Sequence, residues 1–192
     1  MTARRSLDPD QDLVVPNASS YQERVQAALE ALGIPLELVC ARSLPLCAEA
    51  ETLVVAEIDA RGREQRLAPA AASAWGRMKA AAAHTGVDLH LVSAFRSFDR
   101  QCEIVRDKLA GGQSLEQILA VSAPPGYSEH HTGRAVDIGS KPDDSLEEAF
   151  EESEAYAWLS LHASRYGYFL SYPRGNRYGY RYEPWHWFHR EV

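Results

Sequence analysis

The stretch PGYSEHHTGRAVDIG, residues 125–139, places the tightest limit on what this chain can fold into. Its second half, AVDIG, reads as a short strand that would fix Asp137 on a rigid element. Its first half carries two adjacent histidines, His130 and His131. His130 lies seven positions before Asp137, and an odd separation on a straight strand sends two side chains to opposite faces. If an imidazole and the carboxylate serve one site, the chain must turn between them. Thr132–Gly133 can supply that turn, because glycine takes backbone angles that other residues avoid.

A lone His/Asp pair is more often a hydrogen-bonded pair than a set of metal ligands. The residue types nevertheless suit a metal. A catalytic zinc takes three protein ligands and keeps a fourth position for water, and imidazole and carboxylate both serve. A third ligand must then come from another rigid element. YRYEPWHWFH, residues 180–189, offers His186 and His189, with Glu183 three positions before His186. Pro184 lacks an amide hydrogen and disfavours a regular central strand. Glu183 is therefore expected in a bend just before the strand that carries His186, where both side chains can face one cavity.

The rest of the chain predicts an α+β domain. Residues 1–18 read as a flexible lead-in. Apolar residues at helical spacing come next over 19–33 and stop at Gly33. Residues 52–69 read as two short strands around a turn at Arg61–Gly62, and 69–86 as an Ala-rich helix with Pro69 near its start. After these come a strand over 87–95, helices over 97–112 and 114–123, a polar loop SKPDDS, and a helix from about Ser153. YFLSYP reads as a strand, and so does 177–189, where Tyr178, Tyr180 and Tyr182 alternate. With the last strands adjacent in sequence, the expected sheet is small and antiparallel, flanked by helices.

The chain has 192 residues, enough for one full core, and a formal net charge of −7. That charge argues against a nucleic-acid partner, which needs a basic face. No apolar run reaches the roughly 18 residues of a membrane span. The N-terminus has no apolar core of a secretory signal, and three cysteines, Cys40, Cys47 and Cys102, are an odd number without metal-type spacing. Buried free thiols are the expectation, with a Cys40–Cys47 pair as the alternative in an oxidising compartment. On these grounds a cytoplasmic protein is expected.

SEHHTGRAVD, residues 128–137, and EPWH, residues 183–186, together resemble the metallopeptidases that include D-alanyl-D-alanine carboxypeptidases, vancomycin-resistance D,D-carboxypeptidases and L,D-carboxypeptidases. The wider superfamily takes in lysostaphin-type enzymes and the hedgehog signalling domain. Its signature is S-x-H-x-x-G-x-A-x-D with E-x-W-H or E-P-W-H downstream, and SAFRSFDRQ, residues 93–101, resembles a further segment. The likeness covers about residues 66–190. It implies a hedgehog/D,D-peptidase-like fold with zinc in a cleft on the sheet. Residues 1–65 would be a variable N-terminal part, and 66–192 the zinc carboxypeptidase domain. Carried over position by position, it makes His130, Asp137 and His186 the zinc ligands and Glu183 the catalytic base. Arg96 becomes a contact to the substrate carboxylate or to the oxyanion, and Ser128 and Gln101 become substrate-side polar groups. His131 falls at a variable position; His189 lies past the motif and is expected to be structural or to support the ligands.

The implied activity is removal of a C-terminal D-alanine from peptidoglycan stem peptides, at a D,D or an L,D bond. Two other readings compete, an endopeptidase of endolysin type and a zinc-stabilised binding module. The glutamate argues against the second, because a purely structural zinc needs no free base. Tyr178, Tyr180, Trp185 and Trp187 could wall the cleft, though aromatic runs are more often packing. Oligomeric state is not readable from the sequence.

Overall fold

The computed structural model describes residues 18–140 and 146–191; the expected lead-in and most of the SKPDDS loop lie outside them. In chain order the helices are α1 (Ala18–Ala31), α2 (Leu36–Ala41), α3 (Pro69–His84), α4 (Phe98–Ala110), α5 (Leu115–Leu119) and α6 (Glu154–His162). The strands are β1 (Val54–Ile58), β2 (Glu64–Leu67), β3 (His90–Ser93), β4 (Ala135–Gly139), β5 (Tyr168–Leu170) and β6 (His186–His189). β1 and β2 form an antiparallel ribbon, and the other four form an antiparallel sheet in the order β3-β4-β6-β5. This is the small antiparallel sheet with flanking helices that the sequence predicts. No helix among the described residues is long and apolar enough to cross a membrane.

Local chemistry sets the helix limits. Proline occupies the first turn of α3, where its missing amide hydrogen costs nothing. Ala71, Ala74, Trp75, Met78 and Ala82 recur at three- and four-residue spacing and are buried, so α3 lays one face on the sheet. Ser97 caps α4 by accepting from the Arg100 amide, and Ser114 and Gln117 form a reciprocal capping box on α5. Ser153 caps α6 by accepting from the Tyr156 amide.

β4 is the central strand, and all five of its residues are buried. Its alternation gives the sheet two faces. Val136 and Ile138, with Trp187 paired opposite Val136, join Trp75, Met78, Leu159 and Tyr168 in one core under α3 and α6. Asp137 and His186 point the other way. A second core gathers Val25 and Leu29 of α1, Val39 of α2, Phe98, Cys102 and Val105 of α4, and Ile118 and Leu119 of α5. All three cysteines are free; Cys47 and Cys102 are buried as expected, whereas Cys40 is exposed.

The expected strand over 177–189 is much shorter, because only His186–His189 pair in the sheet. Residues 173–183 instead form a loop built around Asn176. Its side-chain oxygen accepts from the amides of Tyr178 and Tyr180, and its amide group donates to the Pro173 and Tyr180 carbonyls. Gly175 and Gly179, both at φ of 70°, make the turns. The tyrosine alternation is real but serves packing in a loop.

Candidate metal centre

Strand pairing explains how residues almost fifty positions apart meet. Asp137 and His186 are direct cross-strand partners in β4 and β6, so their side chains share a face. Ser93 of β3 pairs with Asp137 on its other side. His130 arrives from a one-turn 3-10 helix, Glu129–Thr132, which ends at Gly133 with φ of 63°. That left-handed residue makes the bend required between His130 and Asp137, and a Cβ there would meet the Ala68 amide nitrogen and a Leu53 methyl at 2.9 Å.

His130, Asp137 and His186 offer ligand atoms that all lie within 4.8 Å of one another, and each residue is no more than 4% exposed. The Nδ1 of His130 faces the Ala94 carbonyl at 2.6 Å and donates to it, which turns Nε2 inward, 3.3 Å from Asp137 Oδ2. The Nδ1 of His186 is 3.0 Å from Asp137 Oδ1. These separations, each to a different oxygen of Asp137, are close to the roughly 3.4 Å between neighbouring ligand atoms on a metal with bonds of about 2.1 Å. Burial holds His130 below its ordinary pKa against the pull of Asp137, which leaves its ring neutral and fit to coordinate. The donor set, its spacing and its dryness fit a divalent metal with three protein ligands.

Glu129 is a residue the sequence reading missed. Its Oε2 faces Nε2 of His186 at 2.9 Å and accepts from the Ser171 hydroxyl at 2.6 Å. Burial opposes its ionisation, but the His186 ring and Ser171 outweigh it and hold the carboxyl below its usual range. It thus fixes the ring so that Nδ1 points at the centre, the carboxylate–histidine arrangement common behind metal ligands. The one signal available was a carboxylate directly beside His130 in the sequence. On His186 itself, burial works against charge, yet the two carboxylates prevail and raise its pKa to about 10.

Glu183 sits in the expected bend: its carbonyl accepts from the His186 amide. Its Oε2 is 3.9 Å from His186 Nδ1, outside the ligand trio. Burial pushes its carboxyl up to about 7, with Asp137 and Glu129 adding and His186 and Arg96 opposing. Arg96 lines the same cleft, donating to Gln101 Oε1 at 3.1 Å and Ser93 Oγ at 3.3 Å. Ser128 lines it too. Gln101 does not, contrary to its expected place at the substrate. It is fully buried with both ends engaged: its side-chain oxygen accepts from Arg96 and its amide nitrogen donates to the Ala123 carbonyl.

The cleft has a volume of about 500 Å³ and an aromatic wall of Tyr172, Tyr180, Tyr182 and Trp185. Tyr172, another residue missed in the sequence, stacks on the His186 ring with centroids 4.7 Å apart. Trp187 belongs to the core and Tyr178 lies outside the lining. His131 is a structural tie, donating through Nδ1 to the Arg96 carbonyl and accepting at Nε2 from the Gly126 amide. His189 packs on Tyr168, away from the cleft.

The chain is similar to several known proteins. The VanY family model, described as D-alanyl-D-alanine carboxypeptidase, matches residues 64–191. YodJ of Bacillus subtilis (strain 168) is 37% identical over 119 residues, 60% of this chain and 43% of YodJ. VanXYC of Enterococcus gallinarum, a bifunctional D-Ala-D-Ala dipeptidase and carboxypeptidase, is 33% identical over 129 residues, 62% of this chain and 65% of that protein. The chain thus spans less than two thirds of the length of either. Among solved structures, the LD-carboxypeptidase LdcB superposes with a TM-score of 0.66 at 32% identity, covering 76% of this chain and 71% of LdcB. A variant of the vancomycin-resistance D,D-pentapeptidase VanY, in complex with Zn(II), gives 0.55 at 27% identity, with 77% and 88% covered.

Proposed function

We infer what this protein does from one premise: the chain belongs to the VanY D-alanyl-D-alanine carboxypeptidase family. The reading is a zinc-dependent carboxypeptidase that removes a C-terminal D-alanine from peptidoglycan stem peptides. The observation that carries it is the buried trio His130, Asp137 and His186 with Glu183 beside it, near but not among the ligands.

Zinc, when bound, supplies Lewis-acid chemistry that polarises a carbonyl and acidifies water. Glu183 takes a proton from the attacking water and later delivers it to the departing amine nitrogen. A carboxyl that titrates near neutrality suits both halves of that task. Arg96 presents a planar, permanently charged donor set where negative charge develops on the carbonyl oxygen. Ser128 offers a hydroxyl on the same lining, within the same cleft as Tyr172, Tyr180, Tyr182 and Trp185.

The test is a panel of tri-, tetra- and pentapeptide stems, incubated with and without a chelator and read by mass spectrometry. Chelator-sensitive release of free alanine is expected, and the substrate that yields it separates D,D from L,D cleavage. Larger fragments alone would overturn the reading in favour of an endopeptidase. Glu183→Gln is expected to end alanine release while zinc content stays at about one per chain; turnover in that variant would remove Glu183 as the base.

A further inference from the structure

Lys108 enters the cleft from α4, and the chemistry above leaves it without a task. Its ammonium donates to the Ser122 hydroxyl at 2.6 Å, which fixes its position on the wall it shares with Arg96. Among the described residues, Arg24, Arg63, Lys79, Arg100 and Arg174 each pair with a carboxylate. Lys108 and Arg96 do not: their hydrogen-bond partners are the neutral Ser122, Gln101 and Ser93. Both are half-buried, and among the described residues neither makes an ion pair, so each has donor capacity left for an anionic ligand. Burial and then Arg96 both disfavour charge on Lys108, and Glu183 opposes them. The cleft lining is of mixed charge, with Asp137, Glu147, Glu148 and Glu183 also present, and Arg96 and Lys108 are donors in it that could meet a substrate anion.

The two cations are not equivalent. Arg96 donates to Ser93, the strand partner of Asp137, and its backbone amide donates to the His130 carbonyl, which places it beside the ligand trio. Lys108 reaches the cleft from the last turn of α4 and bonds Ser122, with no hydrogen bond to the trio. In a peptide about to lose its last residue, the free carboxylate lies one residue, about 3.8 Å, beyond the carbonyl under attack. Arg96 beside the trio and Lys108 on the helix beyond it stand in the order that a reacting carbonyl and then a terminal carboxylate require.

We propose that Lys108, held by Ser122, receives the free C-terminal carboxylate of the substrate and leaves Arg96 to the reacting carbonyl. This rests on the carboxypeptidase reading and adds the residue that restricts cleavage to chain ends. Because the carboxylate is read by charge, a peptide that ends in an amide fills the same cleft without the Lys108 contact.

The test is a binding measurement on zinc-loaded Glu183→Gln protein, so turnover does not enter. Acetyl-Lys-D-Ala-D-Ala and its C-terminal amide are titrated by calorimetry. The acid is expected to bind about tenfold or more tightly than the amide. Lys108→Met should bring the acid down to the level of the amide and leave the amide unchanged, while Lys108→Arg keeps part of the preference. Equal binding of acid and amide by the parent protein, or a preference that survives in Lys108→Met, would overturn the proposal. A purely structural role would weaken both peptides together. Failure of the carboxypeptidase reading shows separately, as wild-type protein that frees no alanine from any stem.

Discussion

At His186 each ring nitrogen faces a carboxylate, Asp137 on one side and Glu129 on the other. The first consequence concerns metal affinity. Glu129→Gln keeps the shape but gives up the anionic acceptor, so zinc affinity is expected to fall about 10- to 100-fold. Competition against a chromophoric chelator measures this; an unchanged affinity would reduce Glu129 to packing. The second concerns protons. In the metal-free protein the His186 pKa lies near 10, above the usual 6.5. The ring therefore stabilises the metal-free fold fully below about 6.5, and that contribution is lost as pH rises through about 10. To coordinate, Nδ1 must give up its proton. Zinc uptake at pH 8 is expected to release about one proton from this ring, seen as a buffer-dependent heat in calorimetry. Zero release would contradict the charged ring. Glu129 escaped the sequence reading because it occupies a variable motif position, and only the fold puts it behind His186 rather than beside its neighbour His130.

Among the elements, the 3-10 turn Glu129–Thr132 depends on the glycine that ends it. Gly133 combines a left-handed backbone with a close approach to Ala68 and Leu53. Gly133→Ala is expected to destabilise by roughly 1–3 kcal/mol and to move His130, so urea denaturation and zinc binding should suffer together. The turn, its glycine and the strand after it were legible, because an odd spacing and a Gly carry a direct geometric meaning. The bend at Glu183 was legible for the same reason, through Pro184. The tyrosine run was not. Alternation at a period of two predicts a strand only if the backbone is free to extend, and Asn176 satisfies two amides and two carbonyls of that segment locally. Gln101 was misplaced because a motif position identifies a residue as important without saying which neighbour it serves.

On the scale of the whole molecule, the cleft lies where two cores meet. The ligand trio stands on the sheet above the first core, and the Arg96–Lys108 wall backs on the second, which α1 and α2 help to build. Arg42, just past α2, ties the parts together. It donates to the Tyr178 and Leu119 carbonyls at 2.6 and 2.7 Å and lies 4.3 Å over the Tyr180 ring. Arg42→Ala strands both carbonyls and uncovers Tyr180. A loss of roughly 1–3 kcal/mol in urea denaturation is expected, with a raised KM for stem peptide, since the loop it holds carries part of the aromatic wall. An unchanged KM would mean the loop keeps its place without help. The family match begins at residue 64, so sequence likeness alone left the contribution of the earlier residues open.

The direct opposition of Asp137 and His186 in neighbouring strands has a last consequence. Their bite is set by the backbone ladder between β4 and β6, so a chelating pair exists as soon as those strands zip, and not before. His130, delivered by a turn, completes the grip. Capture of an ion therefore doubles as a report that the final strand has docked.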